Sequence, residues 1–245
     1  MREVNVGLES VLNTYYSYIG CKQCNLCAQR PSQDVLAGVG SVTADIVIIG
    51  EAPSEFDMNS RELFADNEGR MLLNMLEMVW YEDDMEMNSI RDIPDKEEYF
   101  DELRKYLLSK IFFTCVTACP TKDGMKVNKT QADTCKQRVF DLIYAIDPLI
   151  VVGLGDVPGK YIFNIGNKVA YNRGILQDFK IKSKFSNREI RYPGMIIYSP
   201  KVLGRVGDQN LVDKEQGLTY ETMQDLKKVL EIVRTHKELH NDSRR

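Results

Sequence analysis

The sequence contains no long apolar run. No stretch among its 245 residues approaches the roughly eighteen apolar residues of a membrane span, and the N-terminus, MREVNVGLESVL, has no apolar segment typical of a signal peptide. Internal repeats and low-complexity tracts are also missing. We therefore expect an intracellular, cytoplasmic protein that does not contact a membrane, in a compartment where structural disulfides are rare.

An excess of positive charge is missing too. The 32 Lys and Arg residues are outnumbered by 36 Asp and Glu residues, which gives a formal net charge of −4 and a pI of ≈ 5.4. This balance argues against a protein that coats nucleic acid non-specifically, although it leaves room for a local basic groove. The basic residues that do cluster are more typical of a solvated surface: Lys180, Lys182 and Lys184; Lys201 and Arg205; Arg244 and Arg245.

The composition that is present, 43% hydrophobic and 28% charged residues, is that of an ordinary globular protein. The length fits one large α/β domain or two small ones. Four short apolar runs are typical of buried strands: residues 45–50, 111–117, 148–154 and 195–198. Since helical patterns lie between and after these runs, the sequence predicts a mainly parallel sheet covered on both faces.

The helical patterns differ in strength. Apolar spacing predicts helices over 70–80, 99–109 and 219–239, the last with a stripe of Leu226, Val229, Leu230 and Val233. Thr130 with Asp133 resembles a capping box and predicts a helix through Ile146. Three segments are weakly patterned: an acidic surface insertion at 81–98, an irregular and partly β basic excursion at 166–193, and a frayed tail at 240–245.

The six cysteines form two groups in the sequence. Cys21, Cys24 and Cys27 lie close together, and a C-x-x-C pair lets two thiolates reach one metal from a single turn. Cys119 follows a predicted strand, while Cys135 lies about one turn into a predicted helix. A loop between them could turn both thiols toward one point. Four such thiolates suit a zinc ion or an iron–sulfur cluster, and spacing alone does not choose. Buried, unliganded cysteine is the plainer alternative.

The segment GEAPSEFD, residues 50–57, directly follows the first predicted strand, where ligands bind in open α/β sheets. With the cysteines and the glycine-rich segments around it, it resembles the family 4 uracil-DNA glycosylases, intracellular enzymes that hold a 4Fe–4S cluster. The residues that carry the resemblance are Cys21, Cys24, Leu26, Cys27, Arg30, Val35, Gly38, Gly40, Glu51, Ala52, Pro53, Asp57, Phe64, Gly69, Leu72, Cys119, Pro120 and Cys135.

The resemblance implies a fold and a cofactor. We expect a single monomeric domain over residues 1–245, with a core at about 18–235. Its architecture would be three-layer α/β/α around a central, mainly parallel four-stranded sheet. The implied cofactor is a structural 4Fe–4S cluster, with zinc as the alternative. Its ligands would be Cys21, Cys24, Cys119 and Cys135, because the position of Cys27 varies within the family.

The implied activity is excision of a base from DNA. Cleavage of an N-glycosidic bond passes through an oxocarbenium-like state, and the base leaves as an anion after it has been flipped into a pocket. By resemblance, Glu51 and Asp57 lie on the water and sugar side, Phe64 stacks on the base, and backbone near Ala52 lines the pocket. The plainer alternatives are a charge at a helix N-terminus for Glu51 and a core ring for Phe64.

Two positions depart from the family. Cys115 stands where the family has an asparagine that reads the pyrimidine, and Ser199 replaces a histidine that serves the departing base. The only histidines, His236 and His240, belong to the C-terminal end. Losing a base reader costs ~1–3 kcal/mol of discrimination, and losing a donor to a developing anion costs ~3–4 kcal/mol of barrier.

Both replacements are smaller than the family residues. They therefore suggest a bulkier, modified pyrimidine as the target, such as a hydroxymethylated or glycosylated base of viral DNA. A non-catalytic DNA- or partner-binding protein, and a zinc protein without glycosylase chemistry, are the competing hypotheses. Contact with DNA would use the loop from Lys201 to Arg205. In that loop Val202 and Leu203 are apolar wedge candidates, and the two charged residues would meet phosphates.

Overall fold

The computed structural model of the chain describes residues 4–80, 85–166, 168–205 and 217–242. In this part of the chain six strands form one sheet in the order β1-β3-β2-β4-β6-β5. The strands are β1 (Val39–Gly40), β2 (Ile46–Gly50), β3 (Ile111–Cys115), β4 (Ile150–Leu154), β5 (Gln177–Ile181) and β6 (Ile190–Ile197).

The four central strands are parallel, and they are the four that the apolar runs predict. Every residue of β2, β3 and β4 is buried, so both faces of the central sheet are covered, as is usual for parallel strands. The predicted count of four strands is wrong, because β1 and β5 add antiparallel edges. Neither edge has a continuous apolar run: β1 has two residues, and β5 alternates buried and exposed side chains.

Nine α-helices surround the sheet within the described ranges: α1 (Val4–Tyr18), α2 (Glu55–Ser60), α3 (Asn67–Trp80), α4 (Met85–Arg91), α5 (Lys96–Lys110), α6 (Lys129–Ile146), α7 (Asp156–Tyr161), α8 (Pro200–Arg205) and α9 (Leu218–Asp242). Helix α1, which the sequence analysis does not predict, packs along α6, and α3 packs on α5, α8 and α9. None of the helices in these ranges is long and apolar enough to cross a membrane.

The predicted helices all form, with bounds that shift by a few residues. The apolar stripe of α9 is buried as predicted. The cap of α6, however, is Asn128 and not Thr130. The Asn128 side chain accepts the backbone N–H of Gln131 at 3.0 Å, and the Gln131 side chain accepts the backbone N–H of Asn128 at the same distance. An amide pair can therefore form the reciprocal cap that Thr130 and Asp133 only resemble.

Two weakly patterned segments are more ordered than predicted. Part of the acidic segment 81–98 forms α4, which buries Met87 and Ile90, and its end begins α5. The predicted tail at 240–245 continues α9 as far as Asp242. Residues 243–245 lie outside the described ranges. Short segments of mixed composition thus gain their structure from packing, which a polar sequence pattern does not reveal.

Candidate functional site

A cleft of ≈ 420 Å³ opens at the carboxyl ends of the parallel strands. This is the edge where open α/β sheets bind ligands. Its wall is built from the segments that follow β2, β3 and β6 and from Leu154, the last residue of β4. The lining residues are Gly50, Glu51, Ala52, Pro53, Ser54, Glu55, Asp57, Phe64, Asp66, Glu68, Gly69, Pro120, Thr121, Asp123, Gly124, Leu154, Ser199, Pro200 and Lys201.

Six residues that the sequence analysis names as catalytic, base-binding or DNA-binding lie in this wall: Glu51, Ala52, Asp57, Phe64, Ser199 and Lys201. They come from two segments far apart in the chain, 51–64 and 199–201, which the parallel sheet brings to one edge. The part of the wall from Pro120 to Gly124 was missed by sequence reasoning. Its only signal was its position after β3 and next to Cys119.

Glu51 is held in the wall by backbone of the segment between β3 and α6. Its Oε1 accepts the backbone N–H of Val127 at 2.7 Å, and its carbonyl oxygen accepts the N–H of Thr117 at 3.2 Å. Helix α2 begins only at Glu55, so Glu51 does not lie in the first turn of that helix. A backbone donor thus fixes the carboxylate in a half-buried position on the wall.

Asp57 is buried and uses both carboxylate oxygens to hold backbone. Its Oδ2 accepts the N–H of Ser54 at 3.0 Å, which completes the capping box of α2, and its Oδ1 accepts the N–H of Ala65 at 2.9 Å. Burial raises the pKa of Asp57, while the hydrogen bonds from Ser54 and Ala65 oppose that rise. The side chain therefore joins two turns of the wall, one before α2 and one at Phe64.

Phe64 has a left-handed backbone with φ of 57°, which is uncommon for a bulky residue. Asp57 accepts a hydrogen bond from the N–H of Ala65, the residue after Phe64. Arg104 donates hydrogen bonds to the carbonyl oxygens of Leu63 and Phe64. A side chain at Gly69 would place its Cβ 2.1 Å from the carbonyl oxygen of Phe64. Several contacts thus hold a strained residue at the wall of the cleft, a pattern that occurs at functional sites.

Cys115 does not line the cleft, which corrects its predicted place as a base-contacting residue. It ends β3 and is 2% exposed, behind the wall. A Cβ on Gly50 would lie 3.1 Å from its Sγ and 2.9 Å from Cζ of Phe64. Burial, together with the nearby Asp57 carboxylate, raises the pKa of the Cys115 thiol well above its usual range, so the thiol is protonated.

Ser199 lies in the wall of the cleft, after β6. Its Oγ accepts the backbone N–H of Lys201 at 3.3 Å. Across the mouth, Nζ of Lys201 donates to the carbonyl oxygen of Gly124 at 3.2 Å. This contact joins the segment after β6 to the segment after β3, and it closes one side of the cleft.

The predicted DNA-binding loop is helix α8, which corrects the sequence analysis. Leu203 has 0% exposure and packs in the core, so it is not a surface wedge in this conformation. Val202 is 38% exposed and is the apolar side chain that the helix offers to solvent. Arg205 ends the helix, and its side chain lies outside the described part of the structure.

The lining of the cleft is acidic. Lys201 is the one basic residue in the described wall. Six residues of the wall carry carboxylates: Glu51, Glu55, Asp57, Asp66, Glu68 and Asp123. A concave surface with one sign of charge focuses its potential, so this wall repels phosphate groups. The acidic wall does not suit phosphate binding, and the phosphate contacts predicted for Lys201 and Arg205 stay predictions.

Five of the six cysteines line a second, small cavity of ≈ 20 Å³: Cys21, Cys24, Cys27, Cys119 and Cys135. All of them are free thiols. The set includes the four predicted ligands and also Cys27, which the resemblance leaves outside the ligand set. In space, Cys119 and Cys135 thus join the three N-terminal cysteines. Cys115, which is close to Cys119 in the sequence, lies outside the cavity.

The thiols of this cavity are the donors that either a zinc ion or an iron–sulfur cluster would use. Burial raises the pKa of Cys119 to about 12 and also raises the pKa of Cys24, so both thiols stay protonated until a metal displaces their protons. Within the described ranges, no group of three or more His, Cys, Asp or Glu side chains is arranged to hold a metal ion. The five thiols share one cavity wall, and a zinc ion and an iron–sulfur cluster both stay predictions for it.

Comparison with known proteins relates the chain to one family. The family profile described as "Uracil DNA glycosylase superfamily" matches residues 37–227, a range that leaves out the first three cysteines. The type-4 uracil-DNA glycosylase of Archaeoglobus fulgidus is 23% identical over 158 residues, which cover 64% of this chain and 66% of that protein. The type-4 uracil-DNA glycosylase of Sulfurisphaera tokodaii is 25% identical over 192 residues, 75% of this chain and 74% of that protein.

Proposed function

This chain belongs to the uracil DNA glycosylase superfamily, and from that membership we propose that it flips a pyrimidine nucleotide out of DNA and hydrolyses the N-glycosidic bond. The observation that carries the proposal is the cleft at the carboxyl ends of β2, β3, β4 and β6. In its wall a fixed carboxylate, Glu51, and an aromatic ring, Phe64, lie together. An acid and a stacking surface are what excision of a flipped base requires.

Glu51 is the proposed catalytic carboxylate. Its hydrogen bond from the Val127 N–H holds it in place before the substrate arrives. A carboxylate beside the anomeric carbon can orient the attacking water and stabilise positive charge that develops on the sugar. Both carboxylate oxygens of Asp57 accept backbone hydrogen bonds, so its proposed role is to hold the wall of the cleft in shape.

Phe64 is the proposed stacking ring, and its support comes from the wall behind it. The ring lies 5.5 Å from the ring of Phe113, tilted by 57°, and next to the bare backbone of Gly50. Backbone N–H groups near Ala52 are the proposed donors to the leaving base, whose negative charge needs such donors. A ring that is already seated loses little conformational freedom when a base stacks on it.

The proposed target is a pyrimidine bulkier than uracil, such as a hydroxymethylated or glycosylated base. Ser199 supports this proposal, because it occupies the cleft wall with a side chain smaller than the family histidine. Cys115 contributes less than its sequence position suggests, since it lies behind Gly50 and does not widen the cleft. The loss of a polar reader at that position still removes a contact that would exclude other bases.

The proposed cofactor is a 4Fe–4S cluster on Cys21, Cys24, Cys119 and Cys135, with Cys27 in the same cavity wall. Its proposed role is structural. It would tie the N-terminal segment to the segment between β3 and α6, which also supplies the Pro120–Gly124 wall of the cleft.

The function is tested by base release from oligonucleotides that carry uracil, hydroxymethyl-pyrimidines or glucosylated cytosine, in single-stranded and duplex form. We expect release of a modified base to exceed release of uracil. Glu51→Gln, which keeps the shape of the side chain and removes its charge, should lower the rate on the order of 10²–10³-fold. Equal inactivity of the wild-type protein on every substrate contradicts the proposal.

A binding protein without catalysis is the second candidate. The observation in its favour is that the asparagine and the histidine that the resemblance leads us to expect are both absent. Cys115 stands at the first position, and Ser199 stands where the histidine would act. Binding of the same oligonucleotides separates the candidates. If the protein only binds DNA, the wild type, Glu51→Gln and Asp57→Asn should bind the oligonucleotides with equal affinity. None of the three proteins should release a base.

A further inference from the structure

Lys201 carries the one positive charge in the described wall of the cleft. It lies in the first turn of α8, and its side chain is half-buried. Leu203 is fully buried in the core and anchors the helix, while Val202 is 38% exposed to solvent. Because α8 is anchored in this way, the charged side chain of Lys201 is the one that the helix presents to the cleft.

The segment that carries Lys201 lies close against the end of β4. The backbone N–H of Gly155, directly after β4, donates to the carbonyl oxygen of Ile197 at 2.8 Å. Gly155 has a φ of 87°, and a Cβ there would lie 3.1 Å from the Cβ of Ser199. Glycine permits both the backbone conformation and the close approach. The start of α8 is therefore held in place at the carboxyl edge of the sheet.

The strand order places Lys201 opposite Glu51 and Phe64. Strand β4 lies between β2 and β6, while Glu51 and Phe64 follow β2 and Lys201 follows β6. Two strand spacings, roughly 10 Å, separate β2 from β6. All three side chains line the same cleft. A base bound between these segments thus has the carboxylate and the ring on one side and the ammonium on the other.

The Lys201 ammonium has donors left for a ligand. Its Nζ donates to the carbonyl oxygen of Gly124 at 3.2 Å. A lysine ammonium carries three N–H donors, and a carbonyl oxygen is a neutral acceptor. The contact with Gly124 therefore positions the ammonium at the mouth of the cleft without neutralising its charge.

The acidic wall makes a positive charge important for base excision. When the N-glycosidic bond breaks, its electron pair passes to the base, which becomes an anion. Six carboxylates line the cleft, and negative charge among them is unfavourable. A hydrogen bond from an ammonium to an anionic oxygen is shorter and stronger than one from a neutral N–H. The departing base therefore gains most from a donor that is itself charged.

We propose that Lys201 is the charged donor to the departing base. Its ammonium donates a hydrogen bond to a carbonyl oxygen of the flipped pyrimidine, a group that uracil, cytosine and their modified forms share. Water adds its hydroxyl to the anomeric carbon and its proton finally to the base, while Lys201 keeps its own protons. The inference rests on the proposed base excision, and it differs from the phosphate contact that the sequence analysis predicts for this residue.

The first test measures base release with the full-length protein in excess over each oligonucleotide that it cleaves, so that the rate reports the bound complex. Lys201→Met should lower this rate on the order of 10²–10³-fold and keep the affinity for unmodified DNA. Lys201→Arg, which keeps the charge, should recover part of the loss. Lys126→Met is the matched control, at a lysine outside the wall that pairs with Asp156 at 3.8 Å, and should change neither quantity.

The second test varies the leaving base. Oligonucleotides carry uracil or 5-fluorouracil in one pair, and cytosine or 5-fluorocytosine in the other. Fluorine withdraws electrons and stabilises the base anion, so the fluorinated base needs less help from a donor. Lys201→Met should therefore slow release of the unsubstituted base several-fold more than release of its fluorinated analogue. Melting temperatures of the variants equal to that of the wild type show that the fold is retained.

Three results overturn the inference. Equal slowing of both bases of a pair contradicts a role at the leaving base. Weaker binding of unmodified DNA, with a salt slope lowered by ~1 and an unchanged rate in the bound complex, shows a phosphate contact instead. Both of these results leave base excision standing. A wild-type protein that releases no base from any oligonucleotide removes the proposed function and, with it, this role of Lys201.

Discussion

At the scale of single residues, the cleft is built by groups that hold backbone as much as by groups that face a substrate. Three residues fix the segment around Phe64: Asp57 through one hydrogen bond, Arg104 through two hydrogen bonds, and Gly69 through its missing Cβ. Glu51 is itself held by the Val127 N–H. Such support sets the orientation of a site before any ligand binds.

Asp57 should give the protein a measurable pH dependence of stability. Its pKa in the folded protein is raised above the ordinary value of 3.8, so the folded state binds the proton more tightly than the unfolded state. Its contribution to the free energy of unfolding is fully present below that ordinary value and declines as the pH rises through the folded-state pKa. Urea unfolding of wild type and Asp57→Asn between about pH 3 and 7 measures this difference.

Asp57→Asn should lack that decline, and near neutral pH it should be destabilised by about 1–3 kcal/mol, because one backbone N–H loses its acceptor. Ser60→Ala, on the exposed part of the same helix, is the control with little effect. A wild-type minus variant difference that does not change with pH would show that Asp57 titrates alike in both states.

At the scale of elements, caps and close approaches position the segments around the cleft. The cap of α6 decides where the helix with Cys135 and Arg138 begins. The close approach of α3 to the Phe64 turn occurs at Gly69, where any Cβ would meet backbone. The sequence predicts α3 from its apolar spacing and α6 from an apparent capping box at Thr130. The residue that caps α6 and the contact that seats α3 depend on geometry.

The cap of α6 is tested by two alanine substitutions. Asn128→Ala removes the acceptor for the Gln131 N–H and should cost about 1 kcal/mol in the free energy of unfolding. Thr130→Ala should have little effect, because its side chain lies one residue inside the helix and is exposed. Equal losses from both substitutions, measured by chemical denaturation, would contradict the observed cap.

The seat of the Phe64 turn is tested at two glycines. Gly69→Ala places a Cβ 2.1 Å from the Phe64 carbonyl oxygen, so α3 or the turn has to move, at a cost of roughly 1–3 kcal/mol. Gly159→Ala in α7 brings its Cβ no closer than 3.5 Å to a neighbour and is the matched control. Thermal unfolding measures both. If Phe64 stacks on the base, only the first variant should also lose base release.

At the scale of the whole molecule, hydrogen bonds link segments that lie far apart in the sequence. The Glu51–Val127 hydrogen bond spans 76 residues, and the Arg138–Ala37 hydrogen bond spans 101. The cysteine cavity likewise collects thiols from the segment after α1 and from the β3–α6 region. Loss of one of these contacts should therefore affect the fold and the cleft together.

Removal of the proposed metal is the test at this scale. Chelator treatment of loaded protein should lower the melting temperature and increase proteolysis near residues 21–30, because that segment loses its link to the β3–α6 region. Cys24→Ser should reproduce this effect, while Cys115→Ser, outside the cavity, should leave the visible absorbance unchanged. A metal-free protein with unchanged protease resistance would contradict a structural role for the cluster.

The sequence by itself determined features that depend on neighbouring residues. Continuous apolar runs specify the four parallel strands, because strands buried on both faces need apolar side chains at every position. Glu51 follows β2 in the chain, so its place at the carboxyl edge of the sheet follows from that strand. The paired cysteines at Cys21 and Cys24 likewise predict a shared thiol site without knowledge of the fold.

Only the tertiary structure decided which side chains face the same space. It puts Cys27 in the thiol cavity, Cys115 behind the cleft wall, Leu203 in the core and Arg138 in a fully buried position. These positions depend on packing between elements that lie far apart in the chain. A sequence pattern reports the period of its own element, and it carries no information about the neighbour that a side chain will meet.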